Sequence, residues 1–287
     1  MADRVALFRE GVDKYEARTG GAPRAAARYL VQQIPELSDV GSAGALVHDN
    51  ACGTAAVYEE IVSRCRSRGE EPPRAHATDV SPEMVEFAKA RVASLNLDDR
   101  VTARTMPGEK LDFPDETFTH SITNMGLIFF KDGEAGIREI YRTLKPGGVA
   151  AVSTWGKQGL PIDRIAQPAH MDVRPNDTPL AMPVDSRWRN SEYVIRVLED
   201  AGFQEVRLLT TDVLYGQKSE EELHESMVLV SQMLGNYKEW SEEEKEKFSE
   251  AVWKHVRKET TPCKLMDGTD GIGFTIDAMF LVGRKPM

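Results

Sequence analysis

Between Gly44 and Val152, short apolar runs alternate with longer segments in which apolar residues recur at helical spacing. The pattern predicts strand Ala45–Asp49, helix Thr54–Arg66, strand Ala75–Asp79, helix Pro82–Leu95, strands Val101–Thr105 and Phe118–Thr123, helix Ala135–Leu144 and strand Gly148–Thr154. Such alternation builds βαβ units, in which a helix carries the chain back across a parallel sheet. We therefore predict an α/β domain with a mostly parallel sheet.

The flanking segments predict additions to this domain. Two helical patterns come first, and after the irregular, proline-rich segment Gly156–Arg189 the pattern predicts helix Glu192–Ala201, strand Phe203–Thr210, helices Glu220–Leu234 and Glu242–Arg257, and strand Phe274–Val282. The early helices are Val5–Tyr15 and Ala22–Ile34. We expect an N-terminal helical cap at 1–40 and a main domain at 41–287, with substrate-side insertions at about 156–189 and 215–260.

Charge and composition narrow the class of partner. The 46 acidic and 36 basic residues of the 287-residue chain give a net charge of -10, which repels a phosphate backbone and favours a small-molecule partner over nucleic acid. No apolar run approaches the roughly 18 residues of a membrane span. The three cysteines lack CxxC spacing, so we expect no disulfide framework, no metal site and a reducing, cytoplasmic setting.

A predicted strand ends in a carboxylate and runs into a loop of small residues, Asp49-Asn50-Ala51-Cys52-Gly53-Thr54-Ala55. Small residues let a ligand approach the backbone, and the amides at a helix start point outward as donors. Asp79 ends the next strand, and parallel strands present their carboxyl ends at one edge of the sheet. The two acids favour a nucleotide-like ligand whose ribose hydroxyls Asp79 holds, the alternative being a tight turn without a ligand.

The sequence of this loop also helps to distinguish a dinucleotide site from a site for S-adenosylmethionine. A dinucleotide site uses GxGxxG so that pyrophosphate can sit at the helix start, whereas this loop reads DxAxGxA. An acid at that corner repels phosphate. S-adenosylmethionine has no phosphate and carries an ammonium and a sulfonium, which an acidic strand end favours electrostatically.

Four motifs follow one another in an order that resembles the class I S-adenosylmethionine-dependent methyltransferases of the ubiquinone-biosynthesis-type branch. They are Asp49–Ala55, Thr78–Met84, Leu111–Phe118 and Leu144–Gly148, and they cover most of Gly44–Trp155. The segments Asp49–Gly53, Ser153–Trp155 and Trp240–Glu243 look closest to fungal secondary-metabolite methyltransferases such as the gliotoxin thiomethyltransferase. The resemblance implies a Rossmann-like seven-stranded sheet with an antiparallel final strand, N-terminal cap helices and a helical insertion before the last strand.

The resemblance also implies S-adenosylmethionine as cofactor, with S-adenosylhomocysteine as product, and a set of binding residues. Asp49 and the backbone of Asn50, Ala51, Cys52 and Gly53 would face the methionine part, and Asp79 the ribose. The adenine would lie among Val80, Met84, Met106 and Pro107, and the carbonyls of Asn124 and Met125 would face the ammonium. Ala51 and Ala55 replace the usual first and third loop glycines, and the frequent acid near Met106–Pro107 is absent.

Candidate residues for contact with the methyl acceptor are suggested only by their position in the chain. Trp155 ends the fifth strand and Trp188 closes the insertion, so either is a candidate aromatic wall, with core packing as the alternative. Tyr15 lies in the cap that related enzymes close over the cofactor. Tyr15 is therefore a candidate for contact with the substrate and for catalysis, with helix-face packing as the alternative. His170, inside the insertion, is a candidate general base, with a surface histidine as the alternative, and no other catalytic residue is indicated.

The function expected from the resemblance is methyl transfer to S, N or O of a small-molecule natural product by in-line displacement. Such a reaction depends mainly on holding nucleophile, carbon and sulfur in line and dry. Two alternatives keep the fold: an enzyme that binds the cofactor but catalyses cyclisation, and a non-catalytic regulatory subunit. The acceptor and the oligomeric state are not indicated.

Overall fold

One sheet of eight strands dominates the computed structural model, which describes residues 15–287 apart from 158, 181, 183 and 235. The strands are β1 (Leu46–Asn50), β2 (Arg74–Asp79), β3 (Val101–Thr105), β4 (Phe118–Asn124), β5 (Leu144–Trp155), β6 (Gln204–Gln217), β7 (Thr261–Lys264) and β8 (Asp270–Arg284). Seven follow the order β3-β2-β1-β4-β5-β8-β6, and β7 pairs with the first part of β8.

The first five strands are parallel, and β8 runs antiparallel to both β5 and β6. The chain order reverses between β1 and β4, so the carboxyl ends of these strands border the crevice where open α/β sheets bind ligands. The predicted Rossmann-like α/β fold and its antiparallel final strand are confirmed. The additional short strand β7 was not predicted.

Helices cover the sheet, and some of them lie near its carboxyl edge. They are α1 (Tyr15–Arg18), α2 (Ala22–Gln33), α3 (Ala56–Arg68), α4 (Pro82–Ser94), α5 (Gly133–Thr143), α6 (Gln167–Val173), α7 (Ser191–Asp200), α8 (Glu220–Leu234) and α9 (Glu242–Glu259). Short 3-10 turns occupy Pro35–Leu37, Leu127–Phe129, Ser186–Arg189 and Asn236–Glu239. The predicted helix Val5–Tyr15 lies outside the described residues except for Tyr15.

Polar side chains fix several helix starts. The Ser81 hydroxyl accepts a hydrogen bond from the Met84 amide at 3.2 Å, one residue before the proline that opens α4. At α9, Ser241 and Glu244 form a complete capping box. The Ser81 contact fixes the start of α4 just after β2, which ends at Asp79.

The insertion 156–189 contains more regular structure than the sequence pattern predicts. A π-helical turn, Ile162–Ala166, runs directly into α6. Pro168 lies in the first turn of α6, directly after the π-helical turn. The proline content that suggested an irregular loop is therefore compatible with a helix start.

The last part of the sheet was predicted too short. Strand β6 continues to Gln217, seven residues beyond the predicted end at Thr210, and pairs with β8 along its length. Its extension through Thr211 and Asp212 has no simple apolar alternation, so it is held by pairing with β8 rather than by a burial pattern. Local sequence carries little signal for such a strand.

Candidate active site

The loop between β1 and α3 keeps an unusual backbone shape. Ala51, Gly53 and Ala55 have φ angles of 54°, 50° and 60°, all in the left-handed region. An alanine there costs about 1 kcal/mol relative to its ordinary conformation. Two alanines therefore hold a glycine-type loop, which keeps the backbone open to a ligand at the start of α3.

Asp49, the penultimate residue of β1, is a buried acid. It is 1% exposed, and neither carboxylate oxygen makes a hydrogen bond of normal geometry within the described residues. Burial raises the pKa of Asp49 well above its usual range, the backbone amide of Tyr58 offsets part of that rise, and the nearby Asp79 carboxylate adds to it. A cationic ligand group would supply the missing partner.

Asp79 is held differently from Asp49. Its Oδ2 accepts a hydrogen bond from the Gly53 amide and its Oδ1 one from the Ser81 amide, both at 2.9 Å. Burial raises the pKa of Asp79, and these amides together with that of Val80 counteract the rise. The carboxylate is thus fixed in orientation between two loops, and each oxygen keeps a lone pair for a further donor.

The residues predicted to surround an adenine divide into two groups. Val80 is 46% exposed and Pro107 is also exposed, so both present surface beside Asp79. Met84 and Met106 are 2% and 7% exposed, and the Met106 amide donates to the Asp79 carbonyl at 2.8 Å. The methionines therefore pack beneath this surface, so the prediction that Met84 flanks the adenine directly does not match its burial.

Asn50 and Cys52 stabilise the loop from inside. The Asn50 amide nitrogen donates to the Thr123 hydroxyl at 3.3 Å, and the Cys52 backbone amide donates to the Thr78 carbonyl at 2.9 Å. Burial raises the pKa of the Cys52 thiol well above its usual range, and both Asp49 and Asp79 raise it further. The thiol is therefore not activated as a nucleophile.

The end of β4 forms the side of the candidate site that contacts the β1–α3 loop. The Ser153 hydroxyl donates to Asn124 Oδ1 at 2.7 Å, and Asn124 Nδ2 donates to the Pro23 carbonyl at 2.9 Å. Met125 follows with a φ of 56°. A Cβ atom at Gly126 would come within 2.6 Å of the Ala51 Cβ, so the ends of β1 and β4 touch here.

Beside Met125 lies a cavity of about 180 Å³ with an almost entirely apolar lining. The sheet and the 3-10 turn contribute Met125, Ile128, Phe129, Trp155 and Ile276. The insertion contributes Leu160, Pro161, Ile162, Met182 and Val184, and α8 contributes Met227, Leu229 and Val230. The N-terminal segment and β6 complete it with Tyr15, Arg18, Thr19, Ala22, Pro23 and Tyr215.

Some of the residues predicted to contact the acceptor line this cavity, and others do not. Tyr15 and Trp155 line it. Trp188 does not: it is 1% exposed and packs edge-on against Tyr193, with ring centroids 5.5 Å apart. His170 is likewise absent from the lining, because it is buried beside Trp240 with ring centroids 5.1 Å apart. The structure thus places Trp188 in the core and buries His170 within the insertion, so neither side chain faces the cavity.

A network of four charged residues was not predicted from the sequence. Glu16 accepts from Arg24 at 2.7 Å, from Arg91 at 2.5 Å and from the Thr54 hydroxyl at 2.9 Å. Glu59 pairs with the same two arginines. Burial raises the pKa of Glu16, but the arginines outweigh it and hold the value at about 2. No motif identifies this network because its members are distant in sequence.

The other end of α1 is attached to β6. The Tyr215 hydroxyl donates to the Arg18 carbonyl at 2.7 Å, and Gln217 Nε2 donates to the Ala17 carbonyl at 2.6 Å. The bond from Tyr215 gives the Arg18 carbonyl a partner at the helix end, whereas the Ala17 carbonyl also accepts from the Gly20 amide at 2.9 Å. Residues 15–18 consequently form a strap, fixed at both ends, between the β1–α3 loop and the apolar cavity.

This arrangement fits S-adenosylmethionine. The buried carboxylate of Asp49, which has no hydrogen bond of normal geometry among the described residues, suits a cationic group and disfavours phosphate, and the amide-fixed Asp79 suits a diol. Among the described residues no group of three or more His, Cys, Asp and Glu side chains is arranged to hold a metal ion. In the described part of the chain, no helix combines the length and apolarity needed to cross a bilayer.

Comparison with known proteins agrees with this geometry. A family model described as "Methyltransferase domain" matches residues 47–148. Methyltransferase tpcH of Aspergillus fumigatus is 24% identical over 247 residues, covering 84% of this chain and 85% of that protein. The ubiquinone/menaquinone biosynthesis C-methyltransferase UbiE of Geotalea daltonii is 35% identical over 100 residues, which span 35% of this chain and only 41% of that protein.

The fold has relatives among solved structures. A methyltransferase chain from the complex with the Haloferax volcanii Trm112 methyltransferase activator superposes with a TM-score of 0.55 at 17% identity, covering 100% of this chain and 99% of that one. At this identity the likeness concerns the fold. The matched domain and the sequence relatives support a class I S-adenosylmethionine-dependent methyltransferase, and the fold agrees with that family.

Proposed function

We propose that the protein transfers the methyl group of S-adenosylmethionine to a sulfur, nitrogen or oxygen atom of a small, apolar natural product. The observation that carries the proposal is Asp49, a buried carboxylate at the end of β1 that makes no hydrogen bond of normal geometry with any described residue. Such a group lacks a cation, and the ammonium and sulfonium of this cofactor meet that requirement without bringing a phosphate.

The chain's own residues would bind and orient the cofactor. When bound, the cofactor supplies an electrophilic methyl group on a sulfonium. Asp49 would hold the cationic methionine part, and Asp79, already fixed by two backbone amides, would accept from the ribose hydroxyls. Val80 and Pro107 would offer exposed surface to the adenine, and the carbonyls at Asn124–Met125 would face the ammonium.

The cavity beside Met125 would bind the acceptor. Its apolar lining excludes water, and it adjoins the loop of Asp49 through the contact between the ends of β1 and β4. Tyr15 and Trp155 would restrict the acceptor's orientation. Holding two reactants in line contributes on the order of 7–11 kcal/mol to such a reaction, so the protein needs little further chemistry.

The proposal also includes the class of acceptor, the cellular environment and the role of the insertions. An apolar cavity suits a secondary-metabolite acceptor, in keeping with the resemblance to fungal enzymes of that class. The three cysteines, Cys52, Cys65 and Cys263, are unpaired, which supports a reducing, cytoplasmic environment. The insertions near 156–189 and 215–260 both contribute to the cavity lining, which supports their assignment to the substrate side of one domain.

Calorimetry tests the cofactor half of the proposal. The wild-type protein should bind S-adenosylmethionine and S-adenosylhomocysteine, and Asp79→Asn should weaken binding at least about tenfold because a neutral amide is a weaker acceptor for the diol. Asp98→Asn, an exposed aspartate after α4, is the matched control and should bind normally. No binding by the wild type, or unchanged binding by a folded Asp79→Asn protein, contradicts the proposal.

Mass spectrometry tests the chemistry. Incubation with methyl-labelled cofactor and a metabolite extract should yield a product heavier by one labelled methyl group in place of hydrogen. A product of unchanged mass would instead show cyclisation or another rearrangement. Cofactor binding without any product from acceptors that enter the cavity would favour a non-catalytic subunit.

A further inference from the structure

His170 occupies a buried position in which neither ring nitrogen is used. It lies on α6 and is 2% exposed, and neither Nδ1 nor Nε2 makes a hydrogen bond of normal geometry within the described residues. A neutral imidazole has one donor and one acceptor, so burying both without partners costs free energy that a phenyl ring would not cost. Buried polar groups are nearly always bonded, and packing alone does not explain this exception.

The ring of His170 joins two parts of the chain that are far apart in sequence. It packs against Trp240, which lies just before α9, with ring centroids 5.1 Å apart. The Arg174 guanidinium covers the same indole, 4.9 Å from the ring centroid, and donates to Glu244 of α9 at 3.0 and 3.1 Å. At this point the insertion that contains α6 is therefore held against the insertion that contains α8 and α9.

Both insertions supply walls of the apolar cavity. Ile162 and Val184 belong to the first insertion and Met227 to the second. The π-helical turn that contains Ile162 runs directly into α6. Further along, the Asp185 amide donates to the Ile128 carbonyl at 3.2 Å, in a 3-10 turn that also lines the cavity. Contacts that hold the two insertions together therefore also hold these walls.

The charged groups around His170 act in opposite directions. Its Nε2 lies 3.6 Å from Asp177 Oδ2, which is too far for a good hydrogen bond, and Arg174 Nη1 lies 3.5 Å from the same oxygen. Burial lowers the pKa of His170 below its ordinary value, the Asp177 carboxylate offsets part of that effect, and Arg174 adds to it. The arrangement in which His170 is buried therefore favours the neutral ring.

We propose that His170 is a proton-controlled clasp between the two insertions, which keeps the cavity walls together at neutral pH and releases them in acid. The inference goes beyond the proposed function and does not depend on the identity of the acceptor. A neutral ring packs well against Trp240, whereas an imidazolium gains more from water than from the distant Asp177 carboxylate. The contribution of the clasp is complete above about pH 6.5, the ordinary value for an exposed histidine, and declines as the pH falls below it.

The other charged contacts between the insertions do not reproduce this response. Ion pairs also join the insertions, namely Arg174–Glu244, Arg164–Glu259 and Lys254–Asp172. Hydrogen bonds from the cationic partners lower the pKa of Glu244 and Asp172, and at Glu259 they outweigh the effect of burial. These pairs therefore stay ionised between about pH 5 and about pH 7.

Two further histidines lie in this region. His255 Nε2 contacts Asp172 Oδ2 at 3.0 Å, so a proton on His255 would strengthen the contact between the insertions. His224 is bonded to Ser249 and joins α8 to α9 within the second insertion. Release in acid is therefore assigned to His170.

Hydrogen–deuterium exchange read by mass spectrometry tests the clasp without any ligand. Protection of the α6 peptide, corrected for the intrinsic pH dependence of exchange, should fall at least about threefold from about pH 7.5 to about pH 5.5 in the wild type. The peptide that contains Asp185 should lose protection with it. His170→Phe, which keeps the ring shape, should lose most of this pH dependence. His120→Asn is the matched control and should keep it, because His120 is also buried beside an aspartate but lies on β4, outside both insertions.

Asp177→Asn should act in the opposite direction. The Asp177 carboxylate is the charge that favours a proton on the buried ring, so its removal makes the buried arrangement more sensitive to acid. The fall in protection should exceed that of the wild type by about twofold or more. An NMR titration of the His170 ring should give a pKa below 6.5 in the wild type and a lower one in Asp177→Asn.

An equal acid-induced fall in wild type and folded His170→Phe would overturn the inference. Weaker protection of His170→Phe at every pH, with an unchanged pH dependence, would show that the ring serves packing alone. If His170→Phe does not fold, Asp177→Asn and the NMR titration decide: a fall no larger than that of the wild type, or a His170 pKa at or above 6.5, contradicts the clasp. Because calorimetry of S-adenosylmethionine binding tests the proposed function separately, either can fail without the other.

Discussion

Single residues in the β1–α3 loop show that backbone shape is maintained without the usual glycines. Ala51 and Ala55 adopt left-handed conformations that glycine occupies without strain. The surrounding loop, including the contact of the Gly53 amide with Asp79, holds these alanines in place. Strain of this kind is characteristic of ligand sites.

Replacing Ala51 by glycine should stabilise the protein. Ala51 is only half-buried, so relief of the left-handed conformation, about 1 kcal/mol, should exceed the loss of methyl burial. The melting temperature should rise by roughly 2 to 4 °C, as measured by differential scanning calorimetry. Ala51→Val is the opposing variant and should melt lower, since a β-branched residue tolerates this conformation poorly. A lower melting temperature for Ala51→Gly would contradict the assignment of strain.

Replacing Asp49 by asparagine should stabilise the free protein and weaken cofactor binding. Because the pKa of Asp49 is raised by folding, its unfavourable effect is absent below the unfolded value of 3.8 and grows as the pH rises. Denaturant unfolding should therefore show a similar stability for both proteins at low pH and a more stable variant at pH 7 to 8. Calorimetry should show weaker binding of S-adenosylmethionine. A variant that loses stability at neutral pH would indicate that the Asp49 carboxylate has a partner.

At the scale of elements, the strap formed by α1 connects the two halves of the site. Its Glu16 joins α2, the β1–α3 loop and α4, while β6 holds its other end through Tyr215 and Gln217. A single helical turn has little stability of its own. Its position therefore depends on these side-chain contacts.

Glu16→Gln should reduce acid sensitivity and loosen the strap. Because the pKa of Glu16 is depressed to about 2, its stabilising contribution is present above about pH 4.5 and is lost as the pH falls toward 2. Wild-type stability measured by urea unfolding should decline across this window more steeply than that of the variant. Since the Glu16 side chain is 30% exposed, solvent screening limits the effect to about 1 kcal/mol. Glu86→Gln, which removes an exposed i,i+3 pair, is the control and should leave the pH dependence unchanged.

At the scale of the whole molecule, the site draws on residues from Tyr15 to Ile276. The first strands bring Asp49 and Asp79 to one sheet edge, and the later elements α8 and β8 complete the cavity next to them. Ligand binding at this meeting point connects the N-terminal strap, the sheet and the insertions. Occupancy should therefore stabilise the folded chain as a whole.

S-adenosylhomocysteine should raise the melting temperature of the entire protein. A ligand at 100 times its Kd contributes about 2.7 kcal/mol, which corresponds to roughly 5 to 10 °C for a chain of this size. Differential scanning calorimetry at increasing ligand concentration should show this shift. NAD, whose pyrophosphate would face Asp49, should leave the melting temperature unchanged. A comparable shift with NAD would indicate a dinucleotide site.

Much of the proposed cofactor site could be predicted from the sequence because the sequence signals for it are local. The strand Val101–Thr105 has the predicted bounds, and Ser81 and Pro82 mark the start of α4 as predicted. Asp49 and Asp79 could be placed at one edge because successive parallel strands end on the same side. The structure adds how each carboxylate is bonded, which depends on loops that meet only after folding.

The cavity proposed to bind the acceptor could be predicted less well, because it is formed by contacts between residues that are distant in sequence. Trp155 and Trp188 looked equivalent, yet one lines the cavity and the other packs in the core against Tyr193. The sequence by itself determined the alternation of strands and helices and the acids at the strand ends, since burial periodicity and turn chemistry act over a few residues. Only the tertiary structure decided which side of the insertion faces the cavity, that Arg18 enters it, and that Glu16 holds the strap, because each depends on packing between segments far apart in the chain.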